Sequence, residues 1–150
     1  MVLCGGVGVG KTHLGCAIIQ QVIHQHLVDA QFWRVFEVVA HIRAAYGARD
    51  TSLLKAVQAM VKPTLLVIDD VGAQHGSKDE GVLLNELISQ RHDALHPTII
   101  LSNEDRNGLA TYLGTRVLDR LEEDGGTILA CPWESYRKQV IKDDDLPRPE

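Results

Sequence analysis

The chain of 150 residues has little cysteine and no long apolar run. Its three cysteines, Cys4, Cys16 and Cys131, are an odd number without a C-x-x-C pair, so neither a disulfide framework nor a zinc cage is indicated. The purely apolar stretches fall well short of the roughly 18 residues that span a bilayer, and no charged-then-apolar leader opens the chain. These absences predict a cytoplasmic protein that has no contact with a membrane.

The sequence also lacks an excess of basic side chains. Fifteen Lys and Arg residues stand against 20 Asp and Glu residues, giving a net charge of −5. This balance argues against a basic surface that coats nucleic acid, so any DNA contact must be local or provided by an assembly. The length and the 45% of apolar residues predict one globular domain over 1–140. Residues 141–150 are rich in acid and proline, which predicts a disordered tail.

Short apolar runs of β type alternate with longer helical patterns, which predicts an α/β domain around a largely parallel sheet. The runs 64–68 and 98–101 are continuously apolar, as expected of central strands covered on both faces. The predicted strands span 2–4, 32–38, 64–68, 98–101 and 127–130. The predicted helices span 11–28, 39–46, 52–60, 78–95 and 113–122, with a short one near 133–140.

The strongest signal is the segment Gly5-Gly6-Val7-Gly8-Val9-Gly10-Lys11-Thr12, which fits G-x-x-x-x-G-K-S/T between a β-type run and a helical pattern. Glycine lets the backbone curl so that successive N–H groups converge on phosphate oxygens, and the following helix adds the positive end of its dipole. Lys11 would neutralise the β- and γ-phosphates, and the Thr12 hydroxyl would bind Mg²⁺. A glycine-rich turn that matches by chance is rare, and the spacing excludes a Rossmann fingerprint. The residues assigned to a nucleoside triphosphate are Gly5, Gly8, Val9, Gly10, Lys11, Thr12 and His13.

Two aspartates end the apolar run 65–68, and an asparagine follows the next predicted strand. Asp69 would hold Mg²⁺ through water, and Asp70 would orient or deprotonate the attacking water. Ligands of open parallel sheets sit at the carboxyl ends of the strands, so Asn103 could bind the γ-phosphate or this water. A strand that meets a polar loop explains the aspartates equally, and a turn-forming residue before Glu104 explains Asn103.

Further segments resemble the AAA+ ATPases, in the branch that holds the helicase loader DnaC and the transposition helper IstB. The resemblance runs from Leu3 to about Val140. It implies an α/β P-loop fold with a parallel five-stranded sheet in the order 5-1-4-3-2, helices on both faces and no separate lid domain. The segments that carry it are Ile68-Asp69-Asp70-Val71-Gly72, Leu83-Leu84-Asn85-Glu86-Leu87-Ile88, Arg91, Pro97-Thr98, Ser102-Asn103, Leu113-Gly114-Thr115-Arg116-Val117-Leu118-Asp119-Arg120-Leu121 and Trp133-Glu134-Ser135-Tyr136-Arg137.

The resemblance assigns roles to two arginines. Arg120 matches the arginine finger, which reaches the γ-phosphate held by the neighbouring subunit of a homo-oligomer, and Arg137 matches a sensor in the same subunit. Without the resemblance, Arg116 and Arg120 read as solvated partners of Asp119 and Glu123 in weak pairs on a helix surface. Arg116 is also a second candidate for the finger.

The resemblance also implies single-stranded DNA as a partner, held by the helices that precede the strand ending in Asp69. Arg43 and Tyr46 lie in this region and could contact phosphates and stack on a base. A solvated arginine and a half-buried tyrosine at a helix end explain the same residues. Asp70 stands where the loaders usually carry glutamate, which is one methylene longer, so we expect slower turnover.

The sequence therefore predicts a DnaC-like AAA+ ATPase domain that uses ATP and Mg²⁺ and acts in helicase loading during DNA replication. Its expected partners are the replicative helicase, single-stranded DNA and further copies of itself. The segment that binds the helicase in DnaC-like proteins is expected to be missing from the front of this chain. Two alternatives stay open, an IstB-like transposition helper and a truncated nucleotide-binding regulator without useful hydrolysis.

Overall fold

The computed structural model of the chain describes residues 1–46, 52–72 and 78–137. Within them one parallel sheet is formed by the strands β1 (Val2–Gly5), β2 (Ala30–Arg34), β3 (Leu65–Val71), β4 (Thr98–Ser102) and β5 (Ile128–Cys131). The strand order is β2-β3-β4-β1-β5. This order is the predicted 5-1-4-3-2 seen from the other edge, so the predicted fold class is confirmed.

Helices connect the strands and cover the sheet on both faces. They are α1 (Lys11–His26), α2 (Val35–Tyr46), α3 (Ser52–Val61), α4 (Lys78–Asp93), α5 (Arg106–Leu113) and α6 (Thr115–Glu122), with a 3₁₀ turn at Glu123–Gly125. None of the helices in the described ranges is long and apolar enough to cross a membrane.

The side chains of β3 alternate between two apolar clusters, as the period of a strand requires. Leu66 and Ile68 pack with the buried residues of α2 to α6. Leu65 and Val67 pack on the opposite face, where Ile18 of α1 joins them. The sheet is therefore buried on both faces, which explains why β3 reads as one continuous apolar run.

Gly15 allows α1 to lie close to the sheet. A Cβ atom at this position would be only 2.8 Å from Leu101 Cδ1 and 3.2 Å from Val67 Cγ1. A larger residue would push α1 away from β3 and β4, because protein interiors have no spare volume at such contacts. The close approach brings the start of α1 to the carboxyl ends of both strands.

The predicted boundary between the second strand and the following helix is wrong. The strand was expected over 32–38, but β2 ends at Arg34 and α2 begins at Val35. The Glu37 carboxylate accepts a hydrogen bond from the Arg34 N–H at 2.8 Å, which caps the first turn of α2. The apolar run fits the period of a strand as well as that of a helix. Val38 and Ile42 are buried at helical spacing, so packing against the core favours the helix.

The helix predicted over 113–122 is present as α6 but begins at Thr115, and the preceding helix α5, which ends at Leu113, was not predicted. Gly114 separates them with a φ of 90°. Asp105 caps α5 by accepting a hydrogen bond from the Gly108 N–H at 2.8 Å. Asn and Gly in the first turn have low helix propensity, so this helix depends on its cap and its packing.

Two predicted helices end two residues earlier in the structure than expected. Helix α1 ends at His26 rather than at residue 28, and α4 ends at Asp93 rather than at residue 95. Of the short helix predicted near 133–140, residues 133–136 are not helical, residue 137 is helical, and residues 138–140 lie outside the described residues. The predicted tail 141–150 lies outside them as well.

Arg91 of α4 is fully buried and joins three elements of the core. Its exposed fraction is 0%, and burial lowers its pKa to about 10, so the side chain remains charged near neutral pH. The guanidinium donates hydrogen bonds to groups at the end of α3 and around the start of β4. The acceptors are Thr98 Oγ1 at 2.9 Å and the carbonyl oxygens of Met60, Val61, Pro63 and Pro97 at distances between 2.7 and 2.9 Å.

Replacing Arg91 by methionine is expected to lower the free energy of unfolding by about 3 kcal/mol or more, since several buried acceptors lose their donor at once. Urea unfolding measures this loss. The matched control is Arg116→Met, because Arg116 is exposed on α6 and its replacement should change stability by less than about 0.5 kcal/mol. Equal stability of the two variants would contradict the structural role of Arg91.

Candidate nucleotide site

The glycine-rich segment between β1 and α1 forms a loop, here called the P-loop (residues 5–12). Gly8 has a φ of 82° and Gly10 a φ of 92°, in the left-handed region that glycine adopts without steric cost. Gly10 is the N-cap residue of α1, and no side chain accepts a hydrogen bond from the first N–H groups of this helix at the cap position. This is the arrangement of an anion site at a helix start.

Lys11 lies at the centre of this site with an exposed fraction of 7%. Its Nζ donates hydrogen bonds to Gly5 O at 2.7 Å, to Gly6 O at 2.7 Å and to Asn103 Oδ1 at 2.8 Å. Burial lowers the pKa of Lys11, while the nearby carboxylates of Asp69 and Asp70 act in the opposite direction. The contact with Asn103 brings the end of β4 directly to the P-loop.

The Thr12 hydroxyl and the Asp69 carboxylate lie together beside Lys11 and could both bind a metal ion through oxygen. The Thr12 hydroxyl donates a hydrogen bond to Asp69 Oδ2 at 2.7 Å, and Asp69 is 4% exposed. The other carboxylate oxygen accepts a hydrogen bond from the Asp70 N–H at 2.8 Å. Asp69 is therefore held in one orientation by contacts at both of its oxygens.

This donor set fits Mg²⁺. A hydroxyl and a carboxylate are hard oxygen ligands, and Mg²⁺ usually binds through one or two carboxylates together with substrate phosphates and water. In the described part of the chain, no group of three or more His, Cys, Asp or Glu side chains could form a complete protein cage. The site therefore suits a cation that arrives with a phosphate ligand.

Asp70 lies in a β-bulge at the end of β3. The register with β4 shifts between Ile68 and Val71, so Asp69 and Asp70 together oppose the single residue Leu101. Asp70 has a φ of 62°, in the left-handed region that Asp adopts more readily than most residues. A bulge redirects a side chain, and here Asp69 is buried while Asp70 is exposed at the same edge.

The segment after β5 lies against the P-loop and is here called the strap (residues 133–137). The Trp133 indole N–H donates to Val9 O at 2.9 Å, and the Tyr136 N–H donates to Gly8 O at 3.0 Å. A Cβ atom on Gly8 would meet the Ser135 hydroxyl and would lie 3.5 Å from Arg137 Cδ. The structure thus places Arg137 beside the P-loop of its own chain.

The sequence assigned no role to Trp133, although it lies in a segment that carries the family resemblance. Its contact with the P-loop joins residues 124 positions apart, which no local pattern reveals. A tryptophan two residues after an edge strand, at the nucleotide end of the sheet, is the signal that could have identified it.

Arg120 lies far from the P-loop of the same chain. It lines a cavity of about 640 Å³ together with Met1, Leu65 and Thr98, which lie at or before the first residues of β1, β3 and β4. The P-loop follows the carboxyl end of β1, so the two sites lie at opposite ends of the sheet. Arg120 Nη2 is 3.9 Å from Asp93 Oδ1, a weak ion pair.

The remaining predicted residues lie on the helices. Arg43 is exposed in the last turn of α2. Tyr46 is the last residue of α2, and its side chain lies outside the described part of the structure. His13 is exposed directly after Thr12, in the first turn of α1.

The chain is similar to proteins of one known family over most of its length. The family model of the "IstB-like ATP binding protein" matches residues 1–143. The replicative helicase loader DnaC of Escherichia coli strain K12 is 28% identical over 139 residues, which are 93% of this chain and 56% of that protein. The chain thus spans slightly more than half the length of this curated relative.

Two solved structures share the fold. The crystal structure of the DnaC helicase loader matches with a TM-score of 0.75 at 27% identity, covering 87% of this chain and 76% of that chain. The replication initiator DnaA bound to AMPPCP and single-stranded DNA has a TM-score of 0.75 at 17% identity, covering 100% of this chain and 47% of that one. The second likeness concerns the fold alone.

Proposed function

Because the chain belongs to the family of IstB-like ATP-binding proteins and has the P-loop AAA+ fold, we propose that it is a DnaC-like ATPase domain acting in helicase loading. One observation carries the proposal. Lys11 meets Asn103, and Thr12 meets Asp69, at the carboxyl ends of neighbouring strands. The Lys11 ammonium, the Asn103 amide and the oxygen ligands of Thr12 and Asp69 then lie beside a loop whose N–H groups can bind phosphate oxygens.

ATP would bind with its phosphates in the P-loop. Lys11 would exchange its present acceptors for oxygens of the β- and γ-phosphates, and Thr12 and Asp69 would hold Mg²⁺. When bound, Mg²⁺ would neutralise charge on the phosphate oxygens. Asn103 would orient the γ-phosphate or the attacking water from the end of β4.

Hydrolysis would depend on Asp70. Its exposed carboxylate at the bulge would orient the attacking water or accept its proton, while buried Asp69 keeps the metal. Arg137 would act as the sensor from the strap, because that segment lies on the P-loop. In both roles the residue would act at the carboxyl end of the strands, where the P-loop lies.

Assembly would complete the site. Arg120 lies at the opposite end of the sheet from its own P-loop, so as an arginine finger it would serve a second copy of the chain. A chain without neighbours would then hydrolyse ATP poorly, since a finger contributes a large part of the rate.

The proposed partners follow from the DnaC relatives, which are named replicative helicase loaders. We propose a replicative helicase as the client and single-stranded DNA as a ligand, with Arg43 and Tyr46 as candidate DNA contacts. The second candidate function is an IstB-like transposition helper, which the description of the matched family favours. Co-purification of a helicase or of a transposase with the tagged chain separates the two functions.

Replacing Asp70 by asparagine is expected to leave ATP binding unchanged and to lower hydrolysis by about a hundredfold, because an amide cannot accept the proton. Release of inorganic phosphate, measured with and without single-stranded DNA, reports the effect. The matched control is Asp29→Asn, an exposed aspartate just before β2 at the other end of the sheet. Absence of turnover in the unmodified chain with DNA would instead support the regulator without hydrolysis.

A further inference from the structure

The strap contacts the P-loop through two carbonyl groups. Trp133 donates its indole N–H to Val9 O at 2.9 Å, and Tyr136 donates its backbone N–H to Gly8 O at 3.0 Å. Both acceptors lie between Gly8 and Gly10, the two P-loop residues with positive φ. The bonds therefore reach the part of the loop whose backbone has the most freedom to rotate.

Each of these carbonyls is rigidly linked to one N–H group of the loop. A peptide unit is planar, and in its trans form the C=O and the N–H point in opposite directions. The described residues contain no cis peptide bond. The carbonyl of Gly8 shares its plane with the Val9 N–H, and the carbonyl of Val9 shares its plane with the Gly10 N–H. A bond that fixes either carbonyl thus fixes the opposite N–H.

Packing holds the strap in this position. The place that a Gly8 side chain would occupy is taken by the Ser135 hydroxyl, with Arg137 Cδ close by. On the P-loop side, Gly5 is paired with Cys131, the last residue of β5, so β5 ends and the strap begins beside the loop. The strap therefore begins at the end of the edge strand β5 and lies against the loop at Gly8 and Val9.

We propose that Trp133 is a positioning residue of the nucleotide site. By holding the Val9 carbonyl, its indole N–H directs the Gly10 N–H toward the phosphates, while the Tyr136 backbone does the same for the Val9 N–H. This role rests on the proposed ATP site. It also makes Trp133, which is 52% exposed, a fluorescent reporter of nucleotide binding.

The test uses one substitution at each tryptophan. Trp133→Phe keeps an aromatic ring but lacks the N–H donor, and one such bond corresponds to about a three- to tenfold weaker affinity for MgATP. Trp33→Phe is the matched control, because Trp33 is bonded to Gln31 on β2, at the opposite edge of the sheet. Calorimetric titration measures both affinities, and urea unfolding checks that both variants are folded.

Fluorescence gives a readout that a purely structural role would not change. In the Trp33→Phe chain all tryptophan emission comes from Trp133, and it should shift during MgATP titration with the calorimetric affinity. In the Trp133→Phe chain the emission of Trp33 should stay constant.

Two failures are distinguishable. If the unmodified chain binds MgATP but Trp133→Phe binds it equally well, or if the Trp133 emission is insensitive to nucleotide, the positioning role is overturned while the ATP site stands. If calorimetry detects no binding to the folded unmodified chain, the proposed function fails and the positioning role fails with it.

Discussion

Replacing Lys11 by alanine is expected to weaken the binding of MgATP by at least about 30-fold. The ammonium is buried and lies within 2.8 Å of three oxygen atoms at the mouth of the P-loop. Truncating a buried charged partner of this kind costs about 2–5 kcal/mol, which is roughly a 30- to 5,000-fold loss of affinity. Calorimetric titration of the variant with MgATP measures the loss.

Lys62→Ala is the matched control for this variant. Lys62 is exposed after α3, near the start of β3 and far from the P-loop, so its loss should leave the affinity unchanged. Both variants should give the same circular dichroism spectrum as the unmodified chain. Retained affinity in a folded Lys11→Ala chain would contradict the assignment of the phosphate site.

Replacing Arg120 by alanine is expected to leave ATP binding unchanged and to lower hydrolysis by the assembled protein by about 10³- to 10⁵-fold, the range of an arginine finger. The binding site is intact in this variant because Arg120 lies at the other end of the sheet. Phosphate release in the presence of single-stranded DNA measures the rate.

Arg116→Ala is the comparison variant, because Arg116 is exposed on the same helix and is the second candidate for the finger; loss of hydrolysis in Arg116→Ala but not in Arg120→Ala would assign the finger to Arg116 instead. Mixing two inactive variants gives a sharper test. A Lys11→Ala chain is expected to bind ATP only weakly but still carries Arg120, so it should restore hydrolysis to an Arg120→Ala neighbour that binds ATP. A mixture that stays inactive, or full activity in Arg120→Ala alone, would exclude a finger acting between chains.

The sequence predicts the P-loop and the fold class because both depend on local or repeated patterns. Glycine, lysine and threonine at fixed spacing define the loop, and alternating apolar runs define a parallel sheet. The order of the strands came from the family resemblance, since periodicity does not tell which strands are neighbours. The contact between Thr12 and Asp69 follows once that order is known, because both lie at carboxyl ends of the sheet.

Other features depend on tertiary contacts that no local pattern records. The apolar run after Arg34 fits a strand or a helix, and burial against the core decides for the helix. The bulge at Asp70 arises from the pairing of β3 with β4. The hydrogen bond from Trp133 to the P-loop joins distant parts of the chain, and the burial of Arg91 depends on carbonyl groups contributed by separate elements. These features become visible only when the chain is folded.

The most direct test of the account is calorimetric titration of the folded, unmodified chain with ATP, with Mg²⁺ present and then with Mg²⁺ removed by a chelator. We predict saturable binding of one ATP per chain, weakened by the chelator because Thr12 and Asp69 then lose the cation they share with the phosphates. No heat of binding to material shown to be folded would contradict the central claim that the P-loop holds a nucleotide.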